Sequence, residues 1–145
     1  MALLETTIEV KRPIQDVFAY WTNVQTWTEW NMDCVKAEQV TSEPMRMGIQ
    51  LKGINRGMGR EFPWTAKVTE YKPPERYSMT FESGFGTIEE HDVLSAIKDE
   101  TKFQSSLEIK GKGLFKPLMF LYVSSFRKQN EKNLAKFKDK LETQA

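Results

Sequence analysis

The chain has 145 residues, 21 Lys plus Arg against 20 Asp plus Glu for a net charge of +1, and 39 % hydrophobic positions that include nine Phe, four Trp and four Tyr. A chain of about 150 residues buries roughly 70 % of its unfolded surface, so these figures describe a single domain, 1–145, with one sizeable core. They exclude a disordered chain, and a charge near zero argues against a protein built to neutralise nucleic-acid phosphates.

Thr6, Ile8 and Val10 alternate with Thr7, Glu9 and Lys11, which predicts a strand with one buried face. Pro13 then suits a first helical turn, and Val17, Phe18 and Trp21 lie at helical spacing, so a short helix follows and ends at Asn23. A second short helical piece over 25–30 places Trp27 and Trp30 on one side.

From about residue 34 the period becomes 2 for some 75 residues. Turn signals break it at Ser42 to Pro44, Asn55 to Gly59, Lys72 to Pro74, Ser83 to Gly86 and Lys98 to Glu100, which predicts six hairpin-joined strands. Ile49 and Leu51 share a parity, as do Phe62, Trp64, Ala66 and Val68, then Tyr77, Met79 and Phe81, then Phe103, Ser105, Leu107 and Ile109. Each set should face the concave side, with Lys67, Thr69, Thr80, Glu82, Gln104, Glu108 and Lys110 toward water. In Thr87 to Leu94 the two parities compete, and the pattern does not choose between them.

After Gly111 and Gly113 the period is 3.6, predicting one long helix ending near Thr143. Phe115, Met119, Tyr122, Val123, Phe126, Asn130, Asn133, Leu134, Phe137 and Leu141 form the stripe that should cross the sheet. Leu118, Phe120 and Leu121 fall outside it and need cover. A neighbouring loop would supply it, or a transient contact with a membrane surface or a dimer partner. From residue 114 onward seven basic residues face three acidic ones, a solvated face that could also steer the helix to anionic lipid or an acidic partner.

Cys34 and His91 are each the only residue of their kind, too few for a zinc site or an internal disulfide, and no metal or cofactor is expected. Residues 1–10 carry Glu5 and Glu9 where a secretory signal has an unbroken apolar stretch. The longest apolar run, Leu118 to Val123, is far short of the roughly 20 residues that span a bilayer. The expected location is cytoplasmic.

Several local sequences carry a family resemblance: Ile8-Glu9-Val10 and Arg12-Pro13 running into Asp16-Val17-Phe18, the Trp27-Thr28-Glu29-Trp30 turn, Met47-Gly48 opening a strand, and Lys67-Val68-Thr69-Glu70-Tyr71 with Pro73-Pro74-Glu75-Arg76-Tyr77. With Thr101 after a short turn and the long helix after Gly111 and Gly113, the whole chain resembles the START and polyketide-cyclase-like superfamily, SRPBCC. The resemblance implies an α+β helix-grip fold: a curved seven-stranded antiparallel sheet wrapped on a long C-terminal helix, with two short helices between strands 1 and 2. Lys98-Asp99-Glu100 departs from it, since many relatives place a Gly before the Thr, and this should affect only a hairpin turn.

Proteins resembling this one include lipid and isoprenoid carriers, hormone receptors, aromatase/cyclases and chaperone cofactors, with no catalytic residues common to all, so fold does not settle activity. The leading expectation is a hydrophobic small molecule, lipid or polyketide-like, held between sheet and helix by Trp30, Leu51, Trp64, Tyr77, Met79, Phe81, Phe103, Phe115, Met119, Tyr122, Phe126 and Asn130. A filled core is the plain alternative for such an aromatic set. Asn130 and Asn133, if buried, should meet water, ligand or a strand carbonyl. The enzyme alternative is a cyclase or aromatase using the same cavity, with His91 or Tyr122 as acid or base, and Glu89 two positions from His91. A chaperone-cofactor-like interaction module is the third reading. Cys34 lacks a partner for nucleophilic chemistry and should be buried structurally. Asn55-Arg56-Gly57-Met58-Gly59-Arg60 has the glycines of a phosphate loop but precedes no helix, and reads as a hairpin at the cavity mouth.

Overall fold

The computed structural model describes residues 2–57 and 59–143; Met58 of the predicted mouth hairpin lies outside the described residues. The first strand, β1 (Ala2–Val10), buries Leu4 and Val10 and half-buries Thr6 and Ile8, the predicted parity. Pro13, at φ −60°, caps α1 (Ile14–Thr22), and Asn23 closes it with its backbone N–H on the Ala19 carbonyl. The Asn23 side chain then accepts from Gln25 N at 3.2 Å, which starts a single 3₁₀ turn (Val24–Thr26) leading into α2 (Trp27–Trp30).

Six strands follow: β2 (Cys34–Gln39), β3 (Gln50–Gly57), β4 (Arg60–Lys72), β5 (Arg76–Ser83), β6 (Gly86–Ile97) and β7 (Glu100–Gly111). They form one antiparallel sheet in the order β1-β7-β6-β5-β4-β3-β2, so the helices between β1 and β2 carry the chain from one edge to the other. A bulge between Val68 and Glu70 opposite β5, and another between Cys34 and Lys36 opposite β3, interrupt the register and bend β4 and β2 locally. In the β6–β7 turn Lys98 takes the left-handed conformation, φ +57°, and the hairpin register is continuous up to Ile97 opposite Glu100.

The long helix α3 (Phe115–Glu142) packs against β1, β7 and α2. Its two halves differ. Asn133, Leu134, Phe137 and Leu141 in the second half are buried, and Phe137 meets Tyr20, Trp21 and Trp30 at centroid distances of 5.5, 5.0 and 5.3 Å. Arg12 Nη1 donates to the Leu141 carbonyl at 2.8 Å and Lys11 N to Glu142 Oε2 at 2.8 Å, which fastens this end to the corner between β1 and α1. In the first half Met119 and Val123 are only half-buried against Leu4, Leu107 and Ile109, and Tyr122 and Phe126 are exposed. No described segment covers Phe120 or Leu121, which keep 74 % and 57 % of their surface, so the loop cover expected for them is absent among the described residues. No helix among the described residues is long and apolar enough to cross a membrane.

Candidate functional site

The loosely seated first half of α3 and the concave face of β3 to β7 enclose a cavity of about 490 Å³. Trp21, Trp30 and Met79 are buried at its inner end, and Glu90, across from Met79 on β6, is half-buried; its mouth lies between the β3–β4 hairpin with Arg56, the β5–β6 hairpin with Phe85, and Tyr122 and Phe126 of α3. All four tryptophans of the chain line it.

The aromatic lining is arranged in three groups. Trp21 and Trp30 stack at the inner end, 4.7 Å between centroids. Trp27, Trp64 and Phe81 form the wall, with Trp64 and Phe81 edge to face at 5.4 Å. Phe62, Phe85 and Phe115 form the rim, each neighbouring pair edge to face at 4.7 Å. The Trp64 indole lies over Gly53, where a Cβ would come within 2.3 Å of the ring and of the Lys36 carbonyl, and its N–H donates to Asn55 Oδ1 at 2.8 Å. Gly53 is therefore the residue that lets Trp64 lie flat on β3.

Of the residues expected to line a cavity, Trp30, Trp64, Met79, Phe81, Phe115, Met119, Tyr122, Phe126 and Asn130 do so. Leu51, Tyr77 and Phe103 do not: all three face inward but are fully buried under other side chains. Phe103 is covered by Trp21 and Phe137, and Tyr77 by Phe18 and Tyr71, because α1 fills one end of the concave face and leaves the space at the other. Asn133 is buried and takes Met32 N on its Oδ1 at 3.0 Å while donating to Asn31 Oδ1 at 3.1 Å. Its partners are the loop after α2, rather than the water, ligand or strand carbonyl that the sequence suggested. Cys34 is buried, and burial pushes its thiol up to about 11.

The structure settles the facing of β6. Ile88, Glu90, Asp92 and Leu94 point inward, whereas His91 is exposed on the convex side with Nδ1 3.1 Å from Ser78 Oγ. His91 thus stands outside the cavity and out of reach of anything bound there; Tyr122, the other acid–base candidate, stands at the mouth.

Glu90 is the group that sequence reasoning missed. It lines the cavity, and beside it Asp92, 1 % exposed, accepts the Trp21 indole N–H on Oδ2 at 2.8 Å. Burial, then the Asp92 charge, pushes Glu90 well above the usual carboxylate range. Burial also pushes Asp92 up to about 6, opposed by hydrogen bonds from Glu90, Ser105 and Trp21. An apolar cavity is therefore lined by Glu90 with Asp92 two residues along the same face of β6, two carboxyls whose burial favours the protonated form. The apolar set Ile88 and Leu94 shares this parity against Val93 alone on the other, which is the signal that could have found it.

The model of the polyketide cyclase/dehydrase and lipid transport family matches residues 1–142. The chain belongs to this family. Two Mycobacterium tuberculosis proteins, both described as uncharacterized, are 27 % identical to this family member over 141 residues, covering 94 % of it and 96 % of their own length. Among solved structures it is similar to a Thermus thermophilus protein, with a TM-score of 0.81 at 14 % identity over 97 % of both chains. The aromatase/cyclase Zhui of a Streptomyces species has the same TM-score at 11 % identity, over 97 % of this family member and 93 % of Zhui. At such identities the likeness to the two structures is one of fold.

Proposed function

We propose that the protein binds and carries a hydrophobic small molecule, lipid-like or polyketide-like, in the space between the sheet and the first half of α3. One observation supports this most: an aromatic-walled volume of about 490 Å³ lies between the sheet and the first half of α3, next to a well-formed buried core. Pockets of roughly 300–1,000 Å³ suit molecules of drug size. The unfilled interior favours this reading over that of a chaperone-cofactor-like module working through its outer face. Leu118, Phe120 and Leu121 lie on the outer side of the helix that closes the cavity. In this proposal they form the surface through which a membrane or a second copy meets the mouth.

Gentle solvent extraction of the purified protein followed by mass spectrometry should release a near-stoichiometric apolar compound, and adding that compound back should raise the melting temperature. A clean extract together with no thermal shift from any apolar candidate would contradict the proposal.

A second reading, a cyclase or dehydratase, is favoured by Glu90 alone, a carboxyl that lines the cavity and whose burial raises its hold on a proton, as a general acid toward a bound carbonyl requires. If it holds, Glu90→Gln removes turnover of a bound polyketone while His91→Ala leaves it unchanged.

A further inference from the structure

We propose that the first half of α3 docks on an anionic lipid surface, with Leu114, Leu118, Phe120 and Leu121 entering the headgroup layer and Lys112, Lys116, Arg127 and Lys128 meeting lipid phosphates. The inference rests on the carrier reading above for the use of this contact, and it names the partner of the mouth: a bilayer rather than a second copy. It begins with exposure. Leu114 keeps 82 % of its surface, Phe120 74 % and Leu121 57 %, and Leu118 is exposed as well. Large apolar side chains gathered on one exposed stretch mark a contact site.

The charges around the patch decide what it contacts. Between residues 112 and 130 the chain has Lys112, Lys116, Arg127 and Lys128 and no Asp or Glu. All four cations are exposed, and none forms an ion pair among the described residues. Arg12, Arg46, Arg56 and Lys138 elsewhere each pair with a carboxylate. The helix also sorts these cations beside the apolar groups. Lys116, Phe120 and Arg127 follow one another at steps of four and seven, and Leu114, Leu118, Leu121 and Lys128 at steps of four, three and seven, so each set runs along one side of α3.

A bilayer with acidic headgroups answers both features. Apolar side chains sink into the boundary between headgroups and acyl chains, and each nearby Lys or Arg adds about fivefold to binding. A second copy answers only the first. A twofold dimer sets a patch against itself, which here would bring the cations of one chain onto those of the other with no carboxylate between them. The position of the patch fits the same partner. Phe115, Met119, Tyr122 and Phe126, interleaved with the patch residues, line the cavity, and Tyr122 and Phe126 stand exposed at its mouth. Docking therefore brings the mouth beside lipid, and an apolar guest moves between cavity and membrane with little exposure to water.

The test is sedimentation of the full chain with sucrose-loaded vesicles, one set of phosphatidylcholine alone and one with about a quarter phosphatidylglycerol, at about 0.02 M and about 0.5 M salt. At low salt, binding to the anionic set should exceed binding to the neutral set about tenfold or more, and high salt should remove most of that excess. Arg127→Gln with Lys128→Gln should weaken anionic binding about tenfold or more, as should Phe120→Ser with Leu121→Ser. All four positions are exposed, so melting temperatures should stay at the wild-type value. No binding to either set, equal binding to both, or binding that neither double variant weakens overturns the proposal. So does a dimer in sedimentation equilibrium that Phe120→Ser with Leu121→Ser dissolves while vesicles stay unbound. No guest takes part in these readouts, so a clean solvent extract with vesicle binding intact overturns the carrier reading alone.

Discussion

Trp21 donates its indole N–H to Asp92 Oδ2 across 2.8 Å, joining α1 to the middle of β6 over 71 positions of chain. The bond fixes the stack of Trp21 on Trp30 at the inner end of the cavity and gives a buried carboxylate one of its few donors. Trp21→Phe should therefore destabilise the fold by about 2–3 kcal/mol at pH 7.5. Part of that loss should vanish at pH 4.5, where Asp92 is protonated and no longer needs the donor. Urea unfolding at the two pH values measures it; an equal loss at both would place the bond outside the charge balance of the pair.

The carboxyl pair makes stability depend on pH with a definite sign. Unfolded, Asp92 and Glu90 lose their protons near 3.8 and 4.5; folded, Asp92 holds its proton to about 6 and Glu90 well above its ordinary value, burial being the first cause for both. The folded chain binds more protons in that window, so this contribution is complete below the unfolded values and is lost as pH rises through 6. For Asp92 it amounts to about 2–3 kcal/mol. Unfolding midpoints of Asp92→Asn should vary less between pH 4.5 and 7.5 than those of the wild type, and an unchanged slope would contradict the assignment.

At Gly53 a methyl group would meet both the Trp64 ring and the Lys36 carbonyl at 2.3 Å. The backbone oxygen cannot swing aside, so Gly53→Ala should cost at least about 2 kcal/mol. It should also lift Trp64 away from Asn55, seen as a red shift of tryptophan emission.

The two halves of α3 should respond differently to truncation. Leu141 is 1 % exposed and Leu121 is 57 % exposed. Leu141→Ala should cost about 2–5 kcal/mol and Leu121→Ala less than about 0.5 kcal/mol. Hydrogen exchange should follow the same division, with amides of residues 118–126 exchanging well before those of 133–141.

The strands and the long helix were legible because their apolar residues repeat at the periods of their own geometry: Phe62 to Val68 and Phe103 to Ile109 each lie on one buried face. The resemblance supplied the order in which they pack. The cavity was legible only in part. Periodicity says that Leu51, Tyr77 and Phe103 face inward, but not that α1 lays Trp21 and Phe18 over two of them. The stripe on α3 has a direction, while the distance between helix and sheet depends on Phe85, Phe115 and Gly111, residues in or near turns that carry no period. Glu90 and Asp92 were hidden for a further reason. Polar residues placed inward by a site erase the alternation that would reveal them.

The central claim is that an apolar guest occupies the space between sheet and helix, and the four tryptophans that line it make that claim directly measurable. Titration with a neutral, nitroxide-bearing apolar probe should quench most tryptophan emission in a saturable curve of one probe per chain, since all four rings border the same volume. Emission that stays constant up to the solubility limit of the probe, or declines without saturating, would contradict it.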